Sequence, residues 1–245
     1  MIAKTKRNTF EDAGSPEFSE IRYKIAGNYE QRSAAFNLVY RNYLRKGLID
    51  QNEQQLRVTP YHLLATTNTF IAEYRGDVIC TVSLIGDGEL GLPMESIYGD
   101  AVMGARRQGL YVGEVSCLAL EDMPFKCFLP IFVKLTRLMA QHCRTYGMDQ
   151  FLIVIHPKHA KFYQRFMGFE RIGALTTYPT VRDAPAVACC LDFARIDRER
   201  PACYDQFFGT PLPRAELRMR PMSEMEIEAF GWAAESTTDC VTVVV

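Results

Sequence analysis

The sequence predicts an α/β chain (α+β in a three-layer arrangement), with a mixed sheet covered by helices on both faces. Three observations carry this. Apolar residues recur with period two in short runs and with helical spacing in longer ones, and the two kinds of run alternate along the chain. Two strand-like runs, Tyr111 to Leu120 and Phe151 to Ile155, are apolar almost throughout, as strands buried on both sides are. Glycines close the helical runs at Gly47, Gly147 and Gly168, where a left-handed C-terminal residue is favoured.

Taken in order, Ile21 to Ile25 alternates and meets Gly27-Asn28, a short first strand and a turn. From Tyr29 to Leu48 the residues Ala35, Phe36, Val39, Tyr40 and Leu44 fall on one helical face. A loop region with Pro60 follows. Thr69 to Ile85 reads as a hairpin turning at Arg75-Gly76-Asp77. Gly86 to Gly91 is a glycine-rich loop without a helix directly after it, a turn and not a phosphate fingerprint. Met94 to Arg107 is helical in part. Leu129 to Tyr146 is a long helix, Lys158 to Met167 a shorter one, and Arg171 to Thr180 and Ala186 to Phe193 are two closing strands.

With 245 residues, 48% hydrophobic and 23% charged, the chain suits one sizeable domain with an appendage. Residues 1–20 form a flexible N-terminal segment, within which Gly14 to Phe18 reads as a loop or a cloning remnant. Residues 21–195 form the domain. Residues 196–245 form an acidic extension, five Arg against nine Asp plus Glu. A formal net charge of -1 argues against a general nucleic-acid binder. No secretory signal or membrane-spanning stretch is visible, so a cytoplasmic location is expected. The eight cysteines lack C-x-x-C spacing and compact Cys/His clusters, and are expected to be reduced, buried thiols without a metal.

The order of elements and the segment His156-Pro157-Lys158-His159-Ala160-Lys161-Phe162-Tyr163, closed by Gly168-Phe169, resemble the GNAT acyltransferase fold, whose sheet is mixed and mostly antiparallel. Arg32-x-x-x-Phe36 with Tyr40, and Glu114-Val115-Ser116, resemble its acyl-homoserine-lactone-synthase branch. Together with Val39 to Leu44, these motifs are most similar to the long-chain N-acyl amino acid synthases of the FeeM type. The resemblance covers Tyr29 to Arg195. It implies a bacterial enzyme that moves a long fatty acyl group from acyl carrier protein to the α-amine of an amino acid, tyrosine being the family-based expectation. Acyl-phosphopantetheine on the carrier is then the donor, with no tightly bound cofactor. A coenzyme A-dependent N-acetyltransferase and a non-catalytic acyl- or carrier-binding module share the fold.

The segment Glu121 to Pro130 departs from ordinary GNAT enzymes. It has no glycine, Pro124 and Pro130 lack amide donors, and Glu121 and Asp122 carry negative charge where coenzyme A would place its pyrophosphate. A carrier-borne arm brings one phosphodiester only, and fits this loop better. An Arg often follows Glu-x-Ser in the synthase branch; Cys117 stands there instead.

Glu114 lies in an otherwise apolar strand, where a carboxylate is costly unless used or paired. It reads as a general base for the amine or as half of a structural ion pair. Tyr163 stands where GNAT enzymes often protonate the departing thiolate; it is equally a core aromatic. Backbone amides near Ser116 and Cys117, if splayed by a bulge, would hold the thioester oxygen. Cys117 is a poor candidate nucleophile because no adjacent His is evident. Arg32, four residues from Phe36, reads as a fork for the amino acid carboxylate or as a surface ion pair. Phe36, Tyr40, Cys117 and Leu118 are expected to contact substrate. Phe125, Phe128 and Phe132, with Leu129 and Leu135, are candidates for an acyl slot or ordinary core. Arg106, Arg107, Lys126, Lys134, Arg137 and Lys158 are candidate carrier-protein contacts, because carriers are acidic. His156 and His159 suit a capping role better than a metal one.

Overall fold

The computed structural model describes residues 19–235, apart from the side chains of Phe125, Thr180 and Glu235. Gly14 to Phe18, most of the predicted N-terminal segment and Cys240 lie outside the described residues.

Strand β1 (Arg22–Ile25) leads into helix α1 (Tyr29–Arg45), which Asn28 caps by accepting a hydrogen bond from the Gln31 amide at 3.0 Å. A 3-10 turn, Pro60–Leu63, precedes the hairpin of β2 (Thr67–Tyr74) and β3 (Asp77–Gly86). The hairpin turns on Arg75 and Gly76, both at positive φ (52° and 91°), the pair of left-handed residues that matches strand twist. Then follow α2 (Glu95–Arg107), β4 (Val112–Leu120), α3 (Phe125–Thr145), β5 (Gln150–Ile155) and α4 (Pro157–Met167). Helix α4 starts on Pro157, is capped by His156 Nδ1 accepting from the Lys158 amide at 3.2 Å, and stops at Gly168 with φ 76°.

After α4 come β6 (Glu170–Arg171), β7 (Thr176–Tyr178) and β8 (Ala184–Asp192), followed by helices α5 (Phe193–Glu199), α6 (Tyr204–Phe208) and α7 (Glu224–Glu235). The eight-stranded sheet has the order β1-β2-β3-β4-β5-β8-β6, with β7 also on β8. Among the described residues only β4 and β5 pair in parallel. The sheet is therefore mixed and mostly antiparallel.

Two apolar clusters sandwich the sheet. One packs Ala35, Leu38 and Tyr43 of α1 and Val102 and Ala105 of α2 against Val112, Cys117 and Ala119. The other packs Leu135, Leu138 and Met139 of α3 and Tyr163 and Met167 of α4 against Val115 and Leu118.

Three elements differ from the sequence expectation. Helix α3 begins at Phe125, a turn before Leu129; Pro130 sits inside it and forfeits one helical hydrogen bond without ending it. The strand expected over Arg171 to Thr180 is two short pieces, because the chain leaves β8 around Gly173, where the Tyr98 ring packs so closely that a Cβ would lie 2.4 Å from it. The acidic extension contains most of α5 and all of α6 and α7. It crosses from one face of the sheet to the other: Ile196, Cys203, Phe207 and Leu217 join the α3–α4 cluster, while Phe230, Ala233 and Ala234 pack on Phe36 and Val58.

Candidate active site

The two parallel strands part where the chemistry would lie. β4 and β5 are joined at Val112–Gln150, Gly113–Phe151 and Glu114–Leu152, and no rung follows. Past that point β4 keeps its pairing with β3 and β5 keeps its pairing with β8. A bulge helps to bend β4 away: its register with β3 shifts between Ser83–Ser116 and Thr81–Ala119, and Cys117 takes a left-handed φ of 53°. A bulge adds a residue and sharpens local twist. The sequence could only suppose this bulge.

Glu114 faces the α1–α2 side and is fully buried. Its Oε2 accepts a hydrogen bond from the Met94 amide at 2.7 Å, just ahead of α2. Its Oε1 has no hydrogen-bond partner, and neither does the buried hydroxyl of Ser116. Burial pushes the Glu114 pKa up to about 8; the Met94 hydrogen bond opposes this, and the Glu95 carboxylate adds to it. No ion-pair partner reaches Glu114 among the described residues, so the salt-bridge reading fails. Buried polar atoms are rarely left unsatisfied, and two together mark a place for a polar guest. Burial raises the pKa of Tyr178, the nearby Glu114 carboxylate adds to this and a hydrogen bond with Ser96 opposes it, so Tyr178 stays a phenol; Tyr61 and Tyr43 lie close by.

His62 approaches Cys117 from the 3-10 turn, its Nε2 3.7 Å from Sγ. The sequence offered no neighbouring His, so this contact corrects it. The ring nevertheless does not act as a base on the thiol. Nδ1 accepts the Thr59 amide at 3.0 Å, so Nε2 carries the proton and points it at sulfur. Burial, helped by Arg57, pulls the His62 pKa down to about 3.

The α3–α4 side is apolar. A mouth of about 410 Å³ is lined by Leu118, Leu120, Phe128, Phe132, Phe162 and Tyr163, among others. Leu118, Phe132 and Tyr163 also line a narrow inner slot with about 30 Å³ of open space, so the two share these three side chains as a common wall. Tyr163 is buried between the Phe132, Phe162 and Phe169 rings, and burial raises its pKa and keeps its proton. His159 lines the mouth, and His156, Lys158 and Lys46 lie close to it. Burial and the neighbouring Lys158 charge lower the pKa values of Lys46, His156 and His159.

Several expected site residues are elsewhere. Arg32 is buried and pairs with Glu226 of α7, while its other nitrogen donates to the Arg220 carbonyl; it does not fork onto a substrate. Phe36 packs edge-on to Phe230 and His62. Tyr40 accepts the Asn52 amide at 3.4 Å. Arg32 and Phe36 lie under α7, and Tyr40 lies against the loop after α1. Of the cationic candidates, Arg106 is held by Asp87 and Glu95, Arg137 donates to the Thr210 carbonyl, and Lys134 lies 5.6 Å over the Tyr23 ring. Arg106 and Arg107 on α2 are separated by the sheet from Lys134 and Arg137 on α3, so they form no single face. Lys126 and Lys158 are exposed at the starts of α3 and α4. Glu121 and Asp122 are paired with Arg41 (2.5 Å) and Arg45 (3.5 Å), which cancels much of the repulsion expected from them. Leu118 and Phe132 line both the mouth and the inner slot, and Phe128 lines the mouth; the side chain of Phe125 lies outside the described residues. Among the described residues, no group of three or more His, Cys, Asp or Glu side chains could hold a metal, and no helix is long and apolar enough to cross a membrane.

Parted parallel strands, with a buried carboxylate on one face and an apolar slot on the other, define an acyltransferase of the GNAT-like class. The chain belongs to the N-acyl amino acid synthase FeeM family, whose model matches residues 34–192. The structure of FeeM, an N-acyl amino acid synthase from uncultured soil microbes, is similar at 27% identity over 76% of this chain and 97% of its own, with a TM-score of 0.65. The acyl-homoserine lactone synthase LasI is 12% identical over 79% of this chain and 96% of its own, TM-score 0.55. The CoA-dependent acyl-homoserine lactone synthase BjaI is 13% identical over 86% of this chain and all of its own, TM-score 0.57. The last two show the shared fold. No curated protein sequence matches the chain.

Proposed function

We propose that this acyltransferase joins a long-chain fatty acyl group, delivered as a thioester on acyl carrier protein, to the α-amine of an amino acid, with tyrosine the expected acceptor. One observation carries the reading: β4 and β5 part beyond Glu114–Leu152, with the buried Glu114 carboxylate on one face of the sheet and the apolar slot past Leu118 on the other. The amine nitrogen attacks the thioester carbon directly. Its proton passes to Glu114, directly or through a water. The carbonyl oxygen, negative in the tetrahedral intermediate, is held by a backbone amide of the bulged segment from Ser116 to Leu118. The C–S bond then breaks, the amide forms, and the thiolate takes a proton from Tyr163 or solvent.

Glu114 suits this work because a carboxylate with its pKa near 8 is a stronger base than an ordinary one. The ammonium form of the acceptor, drawn to a buried carboxylate, can give up a proton there. Three tyrosines, Tyr43, Tyr61 and Tyr178, lie near one another beside Glu114, which supports an aromatic acceptor. The slot supports a long chain, since each buried methylene contributes about 0.8 kcal/mol. For the donor, Lys46 and Lys158 near the mouth favour an anionic arm. The glycine-free loop favours the carrier over coenzyme A. The Arg41–Glu121 and Arg45–Asp122 pairs weaken the electrostatic half of that preference, so it rests on the missing amide donors.

Purified protein given lauroyl-carrier protein or lauroyl-CoA with each amino acid in turn tests the proposal by mass spectrometry. The expected result is N-acyl amino acid, tyrosine foremost, formed at least tenfold faster from the carrier. Equal or faster product from coenzyme A would overturn the donor, and no amide product from either would overturn the function.

A further inference from the structure

The inner slot runs beneath the sheet from β4 towards the C-terminal extension. Its near wall is Val115 and Leu118; its far wall is Ile196, Pro201, Cys203, Tyr204, Phe207 and Phe208. The family match ends at residue 192, so this far wall comes from a part of the chain beyond it. Polar contacts fix the wall to α3. Arg144 makes a two-nitrogen pair with Asp197 (2.8 and 2.5 Å), and Asp197 also accepts from the Tyr204 hydroxyl at 2.8 Å. The Arg144 guanidinium lies 4.8 Å over the Phe208 ring. Gln141 donates to the Phe207 carbonyl at 2.8 Å and the Thr210 carbonyl at 3.0 Å, and accepts the Leu212 amide at 2.7 Å. A short helix held this way from several sides yields little when pressed from within.

We infer that α6 is the blind end of the acyl slot, and that Phe207, with Cys203 beside it, sets the longest chain the enzyme accepts. The inference rests on the acyl-transfer reading above. An acyl chain entering at Leu118 and passing Phe132 and Tyr163 meets this wall with its methyl end. Only about 30 Å³ of the slot stands open, so a chain that reaches it must displace side chains, and the wall least able to move sets its length. Truncating Phe207 moves the wall back; enlarging Cys203 brings it forward. Each methylene newly accommodated, or excluded, should change relative affinity roughly fourfold.

The test is a competition. Wild type, Phe207→Ala and Cys203→Phe each receive an equimolar mixture of carrier thioesters from eight to eighteen carbons, and the N-acyl products are quantified by chain length. Phe207→Ala should raise the yield of products two carbons longer than the wild-type optimum by roughly tenfold relative to that optimum. Cys203→Phe should move the optimum shorter by two or more carbons. If Phe207→Ala does not fold, as circular dichroism would reveal, Cys203→Phe decides alone. Unchanged length distributions in the folded variants would overturn the inference while leaving amide formation standing. A wild type that makes no amide would overturn the functional reading instead.

Discussion

The two faces of the sheet are built on opposite rules. On the α1–α2 face, the Glu114 carboxylate and the Ser116 hydroxyl leave buried polar atoms without partners two residues apart on one strand. Arg32 is the counter-case: it is nearly as buried as Glu114, yet it has a carboxylate and a carbonyl within reach. On the α3–α4 face, polar side chains gather behind the slot, where they hold α6, and aromatic rings line the way in. The difference teaches where each half of a reaction belongs. A group to be deprotonated is served by unsatisfied acceptors, and a hydrocarbon by surfaces that water does not contest.

The contrast is most easily broken at Glu114. Glu114→Gln should lower kcat by about 10² or more, since a general base contributes about 10²–10⁴-fold. The wild-type kcat/KM should rise with pH through about 8, as the carboxyl loses its proton, and the variant should lack that limb. Any remaining limb reports the acceptor amine. The same burial makes a stability prediction of known sign. The folded carboxyl holds its proton more tightly than the unfolded one, so stability falls as pH rises from the ordinary carboxylate range through about 8. Above that, Glu114→Gln should melt a few degrees higher than wild type.

Arg32 sharpens the contrast by what it does not do. Arg32→Ala leaves Glu226 partly buried and unpaired, and should cost about 3 kcal/mol in denaturant unfolding. KM for the amino acid in the protein that remains folded should stay within about twofold. A tenfold rise in KM with unchanged stability would return Arg32 to the substrate. Tyr163→Phe keeps the aromatic packing and loses only a proton donor; a thiol with pKa about 8.5 leaves tolerably without help. Its kcat should fall less than about tenfold. Smallest of all, Arg106→Ala should change KM for the carrier less than twofold, because Asp87 and Glu95 already hold that side chain. Lys158→Glu should raise it several-fold at low salt and less at high salt.

Much of this was legible in the chain itself, for reasons that are local. A carboxylate inside Val112 to Leu120 stands out because its neighbours are apolar, and Phe128 and Phe132 stand out as large apolar residues around the start of the long helix. The hairpin shows itself in one dipeptide. What stayed hidden depends on distance along the chain or on short, irregular elements. Arg32 reads as an open fork because its partner, Glu226, is 194 residues away. Tyr178 lies on a three-residue strand with no periodicity to report it. His62 sits in a four-residue 3-10 turn, and its ring meets Cys117 only after β4 bulges. The helices of the extension are too short, or too evenly apolar, to register as amphipathic. The cationic candidates were counted correctly, but counting cannot tell which side of a sheet each will occupy.

The most direct test of a reaction carried out across the sheet is a crystal structure with an N-acyl tyrosine bound. The amide should lie in the gap beyond Glu114–Leu152, with its nitrogen within hydrogen-bond reach of Glu114, directly or through one water. The tyrosyl group should lie on the α1–α2 side and the chain should run past Phe132 towards α6. A product lying wholly on one face, with its amide away from Glu114, would contradict the account.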